Sequence, residues 1–303
     1  MTALVPTPLE PAPPTLDPAD PTTALTAGVS RALEALPGHF RTDIRVSGIP
    51  LPDLFSLNTA LGATLEREVV RVLNDLRHIW DPNNNWPRHV FVRYGESFPD
   101  VRLEDRSGST LVTALGIELK GWFILAKEKE PSFRYKISPA ACSPWDLLCI
   151  VPWYLDGAID GHPAVTSPFV TSARYAAELR NFGYEHTRDG KPNPVVRPTP
   201  LPEPYPAPKS KHNDAPTHSD SNFGRIARIA HADGTGFLTE FVTRSLSVEL
   251  AGVAAMHWLQ FLLAVSDRHE DAEIERRLRQ MAKNSPQRLT GQRVLEALLD
   301  DLK

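Results

Sequence analysis

The segment Leu115-Gly116-Ile117-Glu118-Leu119-Lys120-Gly121-Trp122, which follows the pair Pro99-Asp100, decides the fold of this 303-residue chain. Apolar and polar residues alternate along it, and successive side chains of a strand point to opposite faces of a sheet. Glu118 and Lys120 therefore share one face, and the apolar residues around them point into a core. If Asp100 ends the preceding strand of a hairpin, two carboxylates and an ammonium converge on one spot.

Such a cluster has the chemistry for metal-dependent hydrolysis of a phosphodiester. Hard oxygen ligands suit Mg²⁺, which can hold a scissile phosphate and acidify an attacking water. A nearby lysine offsets the negative charge that develops in the transition state. The pattern of Pro99-Asp100 followed by Glu118-x-Lys120 resembles the PD-(D/E)xK nuclease superfamily, and more narrowly its type II restriction endonucleases.

The surrounding pattern selects this trio from several matches to the same short string. The other matches are Asp189-Gly190-Lys191, Asp301-Leu302-Lys303 and the second Pro-Asp pair, Pro52-Asp53. A short motif carries weight only where its structural context agrees. The two competing trios lie in a Pro/Gly-rich loop and in a predicted helical tail. Strand-like alternation instead flanks Asp100, beginning at residues 90–94, and it also flanks the Glu118 trio.

The resemblance covers about residues 52–156 and implies an α/β fold, with a restriction-endonuclease-like mixed sheet flanked by helices. It implies that Asp100 and Glu118 ligate Mg²⁺, with Mn²⁺ as a substitute, helped by the backbone carbonyl of Leu119. Lys120 would orient the attacking water and stabilise the pentavalent phosphate. A homodimer would cut both strands of double-stranded DNA, leaving 5′-phosphate and 3′-hydroxyl ends, and a restriction system would include a companion DNA methyltransferase.

An amphipathic helix is predicted before the Asp100 strand. Apolar residues at 61, 65, 69, 72, 73 and 76 follow the spacing of one helical face. Members of the superfamily commonly place an acidic residue of the metal site on such a helix, in a pattern like E-x-x-V, and residues 66–69 match it. Glu66 is therefore a fourth candidate catalytic residue, with Glu68 as the fallback. Two solvated helix charges are an equally good interpretation.

The overall charge is not that of a protein that coats nucleic acid without specificity. The net charge is −4 and the pI is about 6.2, which leaves room for a locally basic cleft. Arg134 and Lys136, close in sequence to the proposed site, are candidates for DNA binding. Arg225 and Arg228 lie three residues apart on a predicted helix, a spacing that suits adjacent phosphates or a guanine edge. A solvated basic face is the alternative interpretation.

Cysteine content and hydropathy predict a cytoplasmic protein that does not associate with membranes. Cys142 and Cys149 are the only cysteines, the N-terminus lacks the apolar core of a signal peptide, and no apolar run reaches membrane length without interruption. We expect both thiols to be reduced and buried. A disulfide between them is the less favoured alternative.

Composition divides the chain into four parts. Residues 1–22 are rich in Pro, Thr and Asp and predict a disordered tail, because such a segment buries too little apolar surface to offset its ordering entropy. Residues 23–190 form the predicted nuclease core. The proline-rich residues 191–220 predict a linker or surface strap. Residues 221–303 are predicted to be helical, and these helices would either form a separate DNA-binding module or pack on the core and form a dimer interface.

Periodicity predicts the elements within these parts. In the core, helices are expected at 23–36, 54–79 and 172–181, with strands at 89–95, 99–104, 110–120, 133–137 and 147–151. The last strand is continuously apolar, as expected for burial on both faces, and Pro152 should end it. In the C-terminal part, helices are expected at 222–231, 237–266, 270–283 and 290–302.

Two other functions stay open at this stage. The chain could be a DNA repair or junction-resolving nuclease on the same core, or a non-catalytic DNA-binding subunit of a phage-defence system. Three charged groups on one sheet face are costly for an inert scaffold, because unpaired buried charge is unfavourable. Spacing alone does not disclose the DNA sequence that would be recognised.

Overall fold

The computed structural model describes residues 9–186, 195–196, 207–208, 213–216, 222–266 and 271–284. The helices are α1 (Pro21–Glu34), α2 (Leu36–His39), α3 (Leu57–Asp75), α4 (Arg77–Trp80), α5 (Ala173–His186), α6 (Thr239–Leu246), α7 (Ala255–Ser266) and α8 (Asp271–Asn284). Short 3-10 helices lie at Leu51–Ser56, Pro139–Ala141 and Ile226–Arg228. The strands are β1 (His89–Arg93), β2 (Ser97–Phe98), β3 (Val101–Asp105), β4 (Val112–Phe123), β5 (Leu147–Leu155), β6 (Pro163–Val165), β7 (Phe169–Ser172), β8 (Val195–Val196), β9 (Ala207–Pro208), β10 (Ala215–Pro216), β11 (Glu249–Leu250) and β12 (Val253–Ala254).

A six-stranded mixed sheet forms the centre of the fold, and the prediction of a mixed α/β protein is confirmed. Its strand order is β1-β3-β4-β5-β6, and β7 also pairs with β5. β1, β3 and β4 form an antiparallel meander, whereas β4 and β5 run parallel. Parallel strands need a crossover, which is usually a helix. Here residues 124–146 make the crossover, and their only helical element is the 3-10 turn Pro139–Ala141.

Helix α3 covers one face of this sheet. Leu65 and Val69 of α3 meet Leu119 of β4 at a small cavity beneath the helix. The Asn74 side chain ties the helix to the edge strand, because it donates to Phe91 O (3.0 Å) and accepts from Phe91 N (2.8 Å). These contacts place Leu119 beneath α3, so Glu118 and Lys120, its neighbours in alternation, lie on the opposite face of the sheet.

Part of the C-terminal region packs on the opposite face of the sheet. The ring of Phe241 in α6 lies 5.7 Å from Trp122 of β4 and 5.5 Å from Phe169 of β7, measured between centroids. Apart from Phe223, the buried apolar residues described in the C-terminal region belong to the same hydrophobic cluster as those of α1, α3 and the sheet. Of the two arrangements expected for this region, the structure shows packing on the core.

The C-terminal elements differ from the predicted run of helices. Residues 222–231 form a loop with one 3-10 turn instead of a helix. A β11–β12 hairpin interrupts the expected helix at 237–266, because Ala251 and Gly252 adopt positive φ values of 48° and 77° that no α-helix accommodates. Helix α8 agrees with the prediction, and residues 290–302 lie outside the described part of the chain.

Three predicted boundaries in the core also change. Residues 133–137 join no strand of the main sheet and make only isolated bridges. Pro152 does not end β5, which continues to Leu155. On one side of β5, pairing with β7 stops at Ile150 and pairing with β6 starts at Trp153, so Pro152 lies in the gap between the two partner strands. No ladder there requires the missing N–H. Helix α5 continues to His186, beyond the predicted end at residue 181.

The segment predicted to be a disordered tail has a defined position from residue 9 onward. Helix α1 begins at Pro21, and the Asp20 side chain caps it by accepting from Thr22 N at 2.8 Å. The Glu10 carboxylate contacts His231 and accepts from Ala232 N at 2.8 Å. Polar contacts of this kind order a segment with few apolar residues, which composition does not reveal. Residues 1–8 lie outside the described part.

The proline-rich segment 191–220 contacts the core at several of its described residues, whereas β8 and β10 pair with each other inside the segment. β9 pairs with β2, and Asn213 forms a bridge with Ile137. A strap therefore describes these points of the segment better than a free linker. In the residues that the structure describes, no helix is both long enough and apolar enough to cross a membrane.

Candidate active site

The charged face of the β3–β4 hairpin carries the candidate site. Val101 pairs with Ile117 and Arg102 with Gly116, so extending the register by one residue sets Asp100 opposite Glu118. Partners directly opposite each other in an antiparallel pair share one face of the sheet. The strand alternation expected from the sequence thus places both carboxylates on the same side.

Lys120 joins the two carboxylates. Its Nζ atom lies 2.8 Å from Asp100 Oδ2 and 2.7 Å from Glu118 Oε1. Asp100 and Glu118 are 5% and 3% exposed, whereas the side chain of Lys120 keeps 19% of its surface accessible. The three residues named by the sequence therefore meet at one point, and Lys120 is the most exposed of the three.

The surroundings hold Lys120 in its charged form. Burial alone disfavours the ammonium and would lower the pKa of Lys120. The charges of Glu118 and Asp100, and their hydrogen bonds to the ammonium, raise the pKa by more than burial lowers it. The net effect is a pKa above the ordinary value for lysine. Lys120 therefore acts as a fixed positive charge and hydrogen-bond donor, and it does not act as a base.

Gly116 brings the Asp100 segment close to β4. A Cβ atom at Gly116 would lie 2.1 Å from Pro99 Cγ and 2.9 Å from Asp146 Oδ1. Asp146 is fully buried and accepts from the N–H groups of Gly116 and Ser143, each at 2.8 Å. Asp146 was not predicted from the sequence. The feature that could have identified it is its position immediately before the apolar run that forms β5.

A second group of charged residues extends the same face along β3. The guanidinium of Arg102 stacks on Tyr94, 3.9 Å from the ring centroid, and also contacts Ser97. Tyr94 donates from its hydroxyl to Glu104 Oε2 (2.9 Å) and from its backbone N–H to Asp100 O (2.6 Å). The alternation rule could have found Arg102 and Glu104, because they lie two and four residues after Asp100.

The structure does not join Glu66 to this trio. The Glu66 carboxylate pairs with Arg93, with Oε2 2.7 Å from Nη2. Glu66 also borders the small cavity lined by Leu119 and Gly121. By strand alternation these two positions lie on the face of the sheet opposite Lys120. The rotation of α3 about its own axis relative to the sheet decides where Glu66 points. A local sequence pattern does not determine that rotation.

The remaining alternatives are also placed away from the trio. Glu68 pairs with Arg71 on α3 at 2.9 Å, and Asp53 of the second Pro-Asp pair is exposed in a 3-10 helix. The two competing trios, at 189–191 and 301–303, lie outside the described residues.

The predicted DNA-binding residues divide into two groups. Arg134 and Arg225 face each other in an isolated bridge, and Lys136 lies beside them. Arg228 instead pairs with Glu130 at 3.2 Å. The helical face that was expected to carry Arg225 and Arg228 does not form, because this segment is a loop with a 3-10 turn.

The two cysteines behave as expected from the sequence. Cys142 and Cys149 are both buried, and neither forms a disulfide. Burial raises the pKa of both thiols above the ordinary value for cysteine. They are therefore packing residues and do not act as nucleophiles.

No family model, no curated protein and no solved structure matches this chain. The function of the site must therefore be inferred from its own geometry and chemistry.

The carboxylate pair fits a divalent cation in its donor chemistry. Among the described residues, no group of three or more His, Cys, Asp or Glu side chains is arranged to hold a metal ion. Asp100 and Glu118 nevertheless both face one cationic group, the ammonium of Lys120, and Mg²⁺ is often bound in proteins through one or two carboxylates. The side chain of Leu119 lies on the opposite face, so only its backbone can contribute.

Proposed function

We propose that this protein is a Mg²⁺-dependent endonuclease of restriction type, with a restriction-endonuclease-like core, that hydrolyses double-stranded DNA to 5′-phosphate and 3′-hydroxyl ends. One observation carries the proposal. Lys120 Nζ lies within 2.8 Å of both Asp100 and Glu118, on one face of an antiparallel hairpin whose second strand runs parallel to a buried strand.

Each residue of the trio has a distinct role in this proposal. Asp100 and Glu118 would hold Mg²⁺, which supplies Lewis acidity and acidifies a water molecule. A lysine side chain is protonated at neutral pH, so Lys120 can donate to the attacking water and to a phosphate oxygen. A fixed positive charge beside the phosphate stabilises the transition state more than the ground state, which accelerates hydrolysis.

A purely structural role explains the trio less well. Buried ion pairs contribute little net stability compared with apolar side chains of similar volume. The Lys120 side chain also keeps 19% of its surface accessible, which a structural ion pair does not need. The accessible lysine favours a site that meets a ligand.

A plasmid cleavage assay tests the proposal. We expect Mg²⁺ to support cleavage, Mn²⁺ to replace it, and Ca²⁺ to allow DNA binding without cleavage, because Ca²⁺ is larger and tolerates looser coordination. Lys120→Ala, Asp100→Asn and Glu118→Gln should each lower the rate by roughly a hundredfold or more, the usual effect of losing one group that stabilises transition-state charge.

The second Pro-Asp pair provides the matched control. Asp53→Asn changes the same residue type in an exposed 3-10 helix and should leave the rate unchanged. Circular dichroism should show that the site variants remain folded. Cleavage in EDTA, or a Lys120→Ala protein that cuts at the wild-type rate, would rule out the proposed mechanism.

A further inference from the structure

Two arginines from distant parts of the chain face each other across an isolated antiparallel bridge. Arg134 pairs with Arg225, and the main-chain bond from Tyr135 N–H to Gly224 O, 2.7 Å long, lies beside the pair. Arg134 and Arg225 are therefore a non-hydrogen-bonded pair, the kind in which side chains lie closest. Their Cβ atoms are expected about 4.5–5.5 Å apart.

Lys136 adds a third positive charge on the same side. Side chains alternate along an extended segment, so Arg134 and Lys136 point one way and Tyr135 points the other. A Cβ atom at Gly224 would lie 2.9 Å from Lys136 Cγ, which places the lysine stem over the residue before Arg225. Three cationic side chains thus converge on one surface.

This surface lies on the side of the loop opposite Tyr135, which points into the core. Tyr135 is fully buried and donates from its hydroxyl to Ala173 O at 2.8 Å. Burial raises the pKa of Tyr135 well above its ordinary value, and the charges of Cys142 and Glu118 raise it further. Ala173 in turn donates from its N–H to Asp146 O (2.8 Å), and the Asp146 carboxylate accepts from the N–H of Gly116 (2.8 Å), so hydrogen bonds connect the loop to β4 next to the trio.

Among the described residues, no acidic side chain forms an ion pair with any of the three cations. Arg225 Nε is buried without a hydrogen-bond partner. Arg228, only three residues further, is by contrast held by Glu130 (3.2 Å) and Asn222 (2.7 Å). Like charges directly opposite each other repel. An anion bound between Arg134 and Arg225 would offset this repulsion, which favours its binding.

Buried contacts fix the backbone that carries the cations. Arg180 donates to Tyr135 O (2.9 Å) and Ile137 O (2.8 Å), and Asp214 donates from its N–H to Lys136 O (2.8 Å). The Asp214 carboxylate in turn holds Arg180 at 2.7 Å. A surface fixed in this way binds a ligand without a large ordering cost.

We infer that Arg134, Lys136 and Arg225 bind the phosphodiester backbone of duplex DNA next to the scissile phosphate. The choice of DNA as the ligand rests on the proposed function. Guanidinium groups bind phosphate through two parallel hydrogen bonds, so the facing arginines suit a pair of backbone phosphates. Contacts of this kind set the position of the duplex and carry no sequence information.

The test measures binding of a fluorescent duplex of random sequence, in EDTA and in Ca²⁺, over a range of salt concentrations. The variant Arg134→Gln/Arg225→Gln should bind at least about tenfold more weakly at low salt. The slope of log affinity against log salt should become shallower by about one for each cation removed. The control Arg228→Gln should keep the wild-type affinity and slope.

Failure of DNA binding through these three residues and failure of DNA cleavage give different results in this experiment. Unchanged affinity and slope in the double variant would overturn the inference, even if the protein cuts DNA. Wild-type protein that binds DNA through these residues but never cuts it would keep the inference and overturn the nuclease proposal. Thermal melting should show that the double variant is at least as stable as wild type, because the repulsion between the arginines is removed.

Inorganic phosphate at matched ionic strength distinguishes a polymer site from a site for a free anion. We expect phosphate not to displace the duplex, since a polyanion releases several counterions when it binds. Displacement by phosphate alone would assign the surface to a small anion and overturn the assignment to DNA.

Discussion

At the scale of single residues, Gly116 is the position on which the geometry of the candidate site depends most directly. The Cγ atom of Pro99 occupies the space that a side chain would need, and Pro99 immediately precedes the carboxylate of Asp100. The N–H of Gly116 also donates to buried Asp146. A side chain at this position would therefore disturb the sheet and the position of the Asp100 carboxylate together.

We predict that Gly116→Ala lowers the free energy of unfolding by about 1–3 kcal/mol, the usual cost of overpacking, and reduces cleavage. Gly62→Ala is the matched control, because Gly62 lies in α3 with no atom within 4 Å of an added Cβ. Alanine there should stabilise by roughly 0.5–1 kcal/mol. Urea denaturation measures both changes, and equal effects of the two substitutions would contradict the packing argument.

Residue-scale prediction from the sequence succeeded where the geometry is local. Glu118 and Lys120 lie two positions apart on one strand, so alternation alone sets them on one face. Asp100 required only a hairpin register. To place Glu66, one must know the rotation of α3 relative to the sheet, which depends on packing between distant segments. The structure pairs Glu66 with Arg93.

At the scale of elements, the strap and the loop at 133–137 are joined by buried charge. Arg180 of α5 and Asp214 of the strap form a pair that is almost fully buried, with 2.7 Å between nitrogen and oxygen. Asn181 also donates to the same carboxylate oxygen at 2.9 Å. These contacts hold three segments that are far apart in the sequence.

Asp214→Ala should destabilise the protein by about 3–5 kcal/mol, because it leaves the charge of Arg180 buried without this partner. Glu275→Ala is the control, since it removes an exposed pair with Arg279 within α8, and such pairs contribute at most about 1 kcal/mol. Chemical denaturation compares the two variants. A small effect at Asp214 would mean that the strap is not anchored through this pair.

Element-scale prediction failed where pairing is non-local. Periodicity placed a strand at 133–137 and a helix at 222–231, but these segments pair with each other through a single bridge at Arg134 and Arg225. One bridge is too short to leave a periodic signal. The helix starting at 57 and the strands of the hairpin are long and regular, and their pattern identified them.

At the scale of the whole molecule, a shared hydrophobic core connects the C-terminal region to the sheet. The sequence suggested that its apolar residues must be covered by the core or by a second subunit. These residues, all at most 7% exposed, are Leu246, Leu250, Val253, Leu259 and Leu262. The chain itself covers them, so a homodimer remains a proposal that rests on the need to cut both strands symmetrically.

This shared core predicts that the sheet and the C-terminal region unfold together. Phe241→Ala removes the contacts with Trp122 and Phe169 and should cost about 3–5 kcal/mol. Met256→Ala, at a position 41% exposed on α7, should cost much less. If the core is shared, Phe241→Ala shifts the transitions seen by tryptophan fluorescence and by far-ultraviolet circular dichroism by the same amount. A separate C-terminal module would instead unfold early in the variant and leave the transition of the sheet where it is in the wild-type protein.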